Sequence, residues 1–131
     1  MTLAVSLMLA VPSAQAAADW YQRALGATRL WDLGSVVGLE IDGAPFFLHE
    51  VTTGFDSPET LGTTTVRVEV FSDDPDAFIG RAVMAGAAGS LSDIRDHEVP
   101  WGTHRQGGFT DPFGHRWLVG DKQPLERWPG G

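Results

Sequence analysis

The chain has 131 residues, of which 43% are hydrophobic and 20% charged, so it can form one domain with a substantial core but not two ordinary domains. Its formal net charge of −8 argues against nucleic acid or an anionic membrane as a partner and mildly favours neutral or cationic ligands. Cysteine is absent, which excludes a disulfide framework, a thiolate metal ligand and a cysteine nucleophile.

The N-terminal segment, residues 1–18, contains a short apolar run and an Ala-Gln-Ala sequence that resembles a secretory cleavage site. A signal peptide starts with a basic region, however, and no Lys or Arg precedes Arg23. The apolar run at 3–11 is also too short to span a bilayer. We therefore interpret this segment as a strand followed by a helix, and expect a cytoplasmic protein.

The first half of the chain predicts one strand, a helix and three further strands. After a strand at 3–11, Ser13 is a suitable N-cap for a helix over 14–25, which Gly26 ends. Three strands are then predicted at 28–32, 36–41 and 45–51. This half forms one βαβββ module over residues 3–51.

The second half repeats this order after a loop or linker at 52–62, which is rich in Gly and small polar residues. Asp74 and Pro75 provide an N-cap and a first helical position, and Gly86 ends the helix as Gly26 ended the first. The predicted elements are a strand at 63–71, a helix at 75–85, a strand at 90–99 and a hairpin at 105–110 and 115–119. The repetition predicts a second βαβββ module over 63–121, with an irregular tail at 122–131.

The final hairpin carries the most specific sequence of the chain. Its turn is Asp111-Pro112-Phe113-Gly114, in which proline fixes φ, aspartate bonds its own backbone and glycine permits a positive φ. This turn and the repeated modules together resemble the vicinal-oxygen-chelate superfamily of glyoxalases, dioxygenases, fosfomycin-type transferases and bleomycin-resistance proteins. The resemblance covers about residues 3–121 and implies an α+β fold. In that fold two modules form a curved eight-stranded mixed sheet around a cleft, with helices on the convex side.

Enzymes of that superfamily usually hold a divalent metal with His, Glu or Gln side chains on four strands. The resemblance implies that the equivalent positions here are Ser6, residues 48–50, Arg67 and Leu118. Ser6 is a poor ligand, Arg67 would repel a dication and Leu118 is a hydrocarbon. Only His49 or Glu50 could coordinate, the register of this strand being open, and a single ligand does not hold a catalytic metal. We therefore expect no metal and no cofactor.

The implied cleft would have aromatic walls with a few polar groups, which suit a flat ligand held by stacking. On the fifth strand, polar and aromatic residues alternate with valines, so one face packs on helices and the other meets water or a cavity. Core packing or solvent exposure is the alternative role for each candidate. The expected ligand-binding residues are Trp31, Phe46, Phe47, Leu48, His49, Glu50, Arg67, Glu69, Phe71, Trp101, His104 and Phe109.

The other two histidines are expected outside this site. His115 follows the turn glycine and is expected to be exposed, and His97 lies in an acidic, polar stretch that is typical of a solvated face. A His–Asp or His–Glu acid/base pair is possible, but no spacing in the sequence requires one.

Three classes of function remain open. The first is a metal-independent binding protein that sequesters an antibiotic or other aromatic natural product, closest in character to the bleomycin-resistance branch. The resemblance implies that such a protein is a homodimer whose clefts are shared between subunits. The second is a metal-dependent glyoxalase- or dioxygenase-like enzyme of the same fold, and the third is a structural or regulatory domain without a small ligand. We expect the first, without catalytic residues.

Overall fold

In the part of the chain that the structure describes, eight strands form two four-stranded mixed sheets, one in each of two structural units. The computed structural model describes residues 2–126, and the units divide between Thr63 and Thr64. This architecture confirms the predicted α+β fold built from tandem βαβββ modules. The irregular tail predicted at 122–131 contains a short helix over Gln123–Glu126, and its part from Arg127 onward lies outside the described residues. Between residues 2 and 126, no helix has the length and apolar character needed to cross a bilayer.

The first unit has the strand order β1-β4-β3-β2, in which β1 is parallel to β4 and the other neighbours are antiparallel. Its elements are β1 (Met8–Val11), α1 (Ala14–Leu25), β2 (Thr28–Asp32), β3 (Val36–Ile41), β4 (Ala44–Glu50) and the short helix α2 (Pro58–Leu61). Helix α1 begins where the Ser13 hydroxyl accepts a hydrogen bond from the Ala16 N–H, and it ends at Gly26, whose φ is 70°.

Helix α1 covers one face of the first sheet. Tyr21 is fully buried, and its ring meets the edge of Phe46 of β4 at a centroid distance of 5.5 Å. Successive side chains of a strand point to opposite faces, so Phe46 and its partner Leu39 face α1. Phe47 and its partner Gly38 lie on the other side, which we call the first open face.

The second unit repeats this topology with the order β5-β8-β7-β6, in which β5 is parallel to β8 and the other neighbours are antiparallel. Its elements are β5 (Arg67–Phe71), α3 (Pro75–Met84), a 3-10 helix (Leu91–Asp93), β6 (Arg95–Val99), β7 (Gly102–Thr110), β8 (Arg116–Gly120) and the short helix α4 (Gln123–Glu126). Helix α3 packs on β7 and β8. Phe109 is fully buried there, stacked against Trp117 at 5.9 Å and Phe78 at 6.5 Å.

The buried carboxylate of Asp111 holds together the Asp-Pro-x-Gly turn of the final hairpin. One carboxylate oxygen accepts hydrogen bonds from the N–H groups of Phe113 and His115, each at 2.9 Å. The other accepts a hydrogen bond from the Trp117 indole, also at 2.9 Å. His115 is only 8% exposed, so the expectation that it would be exposed is wrong. The Asp-Pro-x-Gly turn therefore anchors the core of the second unit as well as reversing the chain.

Several predicted boundaries differ from the structure. Strand β1 begins at Met8 because the preceding residues 2–6 are exposed, although the Leu7 carbonyl still accepts the Phe47 N–H. The strand expected at 90–99 is shorter, since Ser90 caps the 3-10 helix and only Arg95–Val99 pairs with β7. Strand β5 similarly begins at Arg67 instead of residue 63, and the loop at 52–62 contains α2.

Candidate functional site

The first open face carries a group of accessible aromatic side chains. Trp31 of β2 stacks on Phe47 of β4, with ring centroids 5.6 Å apart and planes 22° apart. The indole lies flat because Gly38 beneath it has no side chain, and a Cβ there would lie 2.6 Å from the ring. Trp31 nevertheless remains 40% exposed. We call these two rings the Trp31–Phe47 stack.

Two further side chains extend this surface. Met8 of β1 is the register partner of Phe47 and is 49% exposed. His49 lies on the same side of β4 as Phe47, and its ring meets the edge of Phe55 at 5.8 Å. The Nδ1 atom of His49 is 2.6 Å from the Glu50 carbonyl oxygen, which can only accept, so Nδ1 carries the proton. In the neutral ring, Nε2 is then a hydrogen-bond acceptor.

Three of the predicted site residues on β4 do not lie on this surface. Phe46 and Leu48 are buried against α1, and the Glu50 carboxylate accepts a hydrogen bond from the Ala14 N–H at 3.0 Å. Glu50 therefore stabilises the N-terminus of α1, where a negative charge is favourable. The prediction that all of residues 46–50 face a ligand is corrected, since alternate residues of a strand point in opposite directions. The same alternation assigns His49, and not Glu50, to the open face.

The second sheet has an equivalent surface on the side away from α3, which we call the second open face. Phe109 and its partner Trp117 face α3, so Phe109 is a core residue, contrary to its predicted ligand-binding role. The register then places alternate residues of β5 and β8 on the open face. These are Arg67, Glu69 and Phe71 of β5 beside Arg116, Leu118 and Gly120 of β8.

His104 of β7 also lies on the second open face, where its ring covers Gly120. A Cβ at Gly120 would lie 2.7 Å from the ring, and His104 is only 7% exposed. Its Nδ1 is 2.7 Å from Asp121, whose carboxylate also accepts the N–H groups of Arg105 and Gln123. Burial acts to raise the pKa of Asp121, but the hydrogen bonds from Arg105 and His104 outweigh it and the pKa is lowered. The ring orientation of His104 is therefore fixed by a His–Asp pair.

Trp101 lies in the turn between β6 and β7 and is 38% exposed. His97 of β6 is exposed and is the register partner of His104, as expected for a solvated strand. On the opposite side of this sheet, the Arg105 guanidinium donates two hydrogen bonds of 2.7 Å to Asp76 of α3. These bonds lower the pKa of Asp76 and raise that of Arg105. Arg105 thus ties β7 to the first turn of α3.

The positions that correspond to metal ligands do not suit a divalent cation. The Ser6 hydroxyl donates a hydrogen bond to the Pro45 carbonyl, Arg67 carries a positive charge and Leu118 has no donor atom. Within residues 2–126, no three His, Asp or Glu side chains lie close enough together to hold a metal ion. With the Glu50 carboxylate bonded to the N-terminus of α1, His49 is the one described residue at these positions whose side chain is left as a good ligand for a transition metal.

The paired modules and their sheet order define a class of α+β proteins, and comparison with known families identifies it. Residues 4–119 match the Glyoxalase/Bleomycin resistance protein/Dioxygenase superfamily. The chain belongs to this family. A Mycobacterium bovis protein described as uncharacterized, Mb0911c, is 33% identical over 136 residues, covering 93% of this chain and 84% of that protein.

Solved structures of the same fold include TioX from Micromonospora sp. ML1, with a TM-score of 0.70 and 23% identity, covering 92% of this chain and 98% of that chain. The fosfomycin resistance protein FosX from Mesorhizobium loti has a TM-score of 0.65 and 11% identity, covering 97% and 98% of the two chains. At these identities the similarity concerns the fold alone.

Proposed function

We propose that this protein is a metal-independent small-molecule binding protein that sequesters an aromatic natural product, such as an antibiotic, without altering it. The Trp31–Phe47 stack is the observation that supports this function most directly. An indole supported by a second ring and by a glycine offers a rigid, flat surface at little entropic cost. A tryptophan that served only the core would be covered, whereas Trp31 is 40% exposed.

The composition of the first open face indicates what kind of ligand would fit it. Clustered exposed apolar side chains mark a binding surface more often than isolated ones do, and Met8 lies beside the stack. In the neutral ring, Nε2 of His49 would accept a hydrogen bond from an N–H or O–H group of the ligand. A flat ligand with such a donor at its edge therefore suits this face.

The proposed role extends to the assembly and location that the family resemblance implies. We propose a cytoplasmic homodimer whose subunits share their ligand clefts, and light scattering on the purified protein would test its mass. The names of some fold neighbours agree with drug binding: one is a fosfomycin resistance protein and another a glyoxalase/bleomycin resistance protein from Albidiferax ferrireducens T118. Their similarity to this chain is one of fold.

Isothermal titration against a panel of aromatic natural products tests this function. Trp31→Ala is expected to weaken binding of any compound found by about 1–3 kcal/mol, because the upper ring of the stack is lost. Leu61→Ala, which removes an exposed apolar side chain from α2, is the matched control and should leave affinity unchanged. If Trp31→Ala bound as tightly as the wild type, the stack would not be the binding surface.

An enzyme of the same fold is the second candidate, and the His104–Asp121 pair favours it. A carboxylate at 2.7 Å fixes the orientation of the imidazole, which is the arrangement of a general acid–base pair. A metal-dependent form of this enzyme is tested by elemental analysis of protein purified without a chelator or metal-affinity tag. Near-stoichiometric iron, zinc, nickel or manganese would overturn the binding-protein proposal.

A further inference from the structure

Two arginines lie side by side on the second open face. Arg67 of β5 and Arg116 of β8 are register partners in parallel strands, which places their Cα atoms about 4.8 Å apart. In the described part of the chain, neither guanidinium is within ion-pair distance of a carboxylate. Arg29 and Arg105, in contrast, each contact two carboxylates. Acidic residues outnumber Lys and Arg by 17 to 9, so carboxylates are not in short supply.

The position of Arg116 depends on the glycine at 108. A Cβ at position 108 would lie 2.9 Å from Nη2 and 3.2 Å from Cζ of Arg116, so the guanidinium fills the space above this glycine. Arg116 is half-buried as a result, whereas Arg67 is exposed. A guanidinium held against the sheet loses less side-chain entropy when it binds a partner than a freely rotating one.

We propose that Arg67 and Arg116 form a binding site for an oxyanion, the carboxylate or phosphate group of a ligand. Like charges on neighbouring strands repel, so this pair destabilises the fold until an anion lies between the two guanidinium groups. Each guanidinium presents paired N–H donors that match the geometry of a carboxylate or phosphate. The attraction for an anion is confined to these two arginines, since the net charge of −8 repels anions from the protein as a whole.

Glu69 sets the strength of this site. It lies on the same face, two residues after Arg67, and is the register partner of Leu118. Within residues 2–126 it forms no ion pair with either arginine. Its carboxylate would repel an incoming oxyanion, so Glu69→Gln should tighten binding about twofold or more.

Nuclear magnetic resonance of the full chain tests the proposal with sodium phosphate and, separately, sodium acetate as probes, at constant ionic strength. The side-chain Nε–Hε signals of Arg67 and Arg116 should move in a saturable way with at least one probe. Arg67→Gln and Arg116→Gln should each weaken binding about tenfold, because a charge-assisted hydrogen bond is lost. Arg116→Lys keeps the charge but loses the paired donors, and should bind with intermediate affinity.

Arg95→Gln is the matched control, because Arg95 is exposed on the same face, on β6, and its loss changes the net charge equally. It should leave the affinity unchanged. If Arg95→Gln weakened anion binding as much as Arg67→Gln, the anions would be responding to the overall charge of the face, and the proposed site would be refuted. The absence of saturable shifts with both probes would refute it as well. The site does not depend on the Trp31–Phe47 stack: loss of phosphate or acetate binding would leave aromatic binding to the first unit untouched.

Discussion

Gly38→Ala is a direct test of how the Trp31–Phe47 stack is supported. The new Cβ would lie 2.6 Å from Cε2 and 2.8 Å from Nε1 of the indole, closer than such atoms approach in proteins, so the ring must lift away from the sheet. Losing the contact with Phe47 costs about 0.5–1.5 kcal/mol. Replacing a glycine within a strand by alanine adds about 0.5–1 kcal/mol to the free energy of unfolding, because the unfolded chain loses conformational entropy. The net loss of unfolding free energy should therefore be under about 1 kcal/mol.

Ligand affinity should respond more strongly than stability, since the displaced indole no longer presents a flat surface. We expect binding to weaken about tenfold or more, with urea unfolding measuring stability and calorimetry measuring affinity. Gly80→Ala is the control: its Cβ meets only Leu91, at 3.6 Å, so it should stabilise α3 without affecting affinity. A Gly38→Ala variant that bound normally, or that lost about 3 kcal/mol of stability, would refute the reasoning.

Three further changes test other parts of the structure. Asp111→Ala should lower the unfolding free energy by about 3 kcal/mol or more, because two backbone N–H groups and the buried Trp117 indole lose their acceptor; a loss below about 1 kcal/mol in urea unfolding would contradict this. The hydrogen bonds from Arg105 lower the pKa of Asp76 in the folded protein. The contribution of Asp76 to the free energy of unfolding is therefore present above its pKa in the unfolded chain, about 4, and is lost as pH falls through its pKa in the folded protein. In the Asp76→Asn variant, the urea concentration at the unfolding midpoint should fall less steeply as the pH is lowered than in the wild type. An equally steep fall in both proteins would contradict this role of Asp76. Trp101→Ala tests the predicted ligand-binding role of this exposed residue of the second unit: calorimetry should show ligand binding weakened by about 1–3 kcal/mol without unfolding of the protein, and an unchanged affinity would refute that role.

The repeated order of strands and helices could be predicted because local signals recur in both halves. Ser13 and Asp74 cap the two long helices as expected, since a side-chain oxygen that precedes a helical pattern satisfies exposed N–H groups. The strand at 90–99 was predicted too long because Ser90 forms its own local hydrogen bond with the Ser92 N–H, which competes with strand pairing.

The candidate surfaces were harder to predict from the sequence. Successive side chains of β4 point to opposite faces, and this alternation separates Phe47 and His49 from their buried neighbours. The sequence alone therefore contained the information needed to assign these two residues to one face. Arg116 was not among the predicted site residues, because its position above Gly108 depends on the register between β8 and β7. Register arises from pairing between distant segments, which no local pattern of one sequence specifies.

Strand glycines on both open faces have one consequence for how this protein could change its ligand. Gly38, Gly108 and Gly120 each leave a vacant place that a side chain from an adjacent strand covers: Trp31, Arg116 and His104, respectively. The glycine backbone thus leaves room for a side chain to lie flat on the sheet, and the identity of that side chain decides whether its group is aromatic, cationic or an imidazole. Exchange of the covering residue alone would replace one kind of recognition with another, and the sheets beneath would need no redesign.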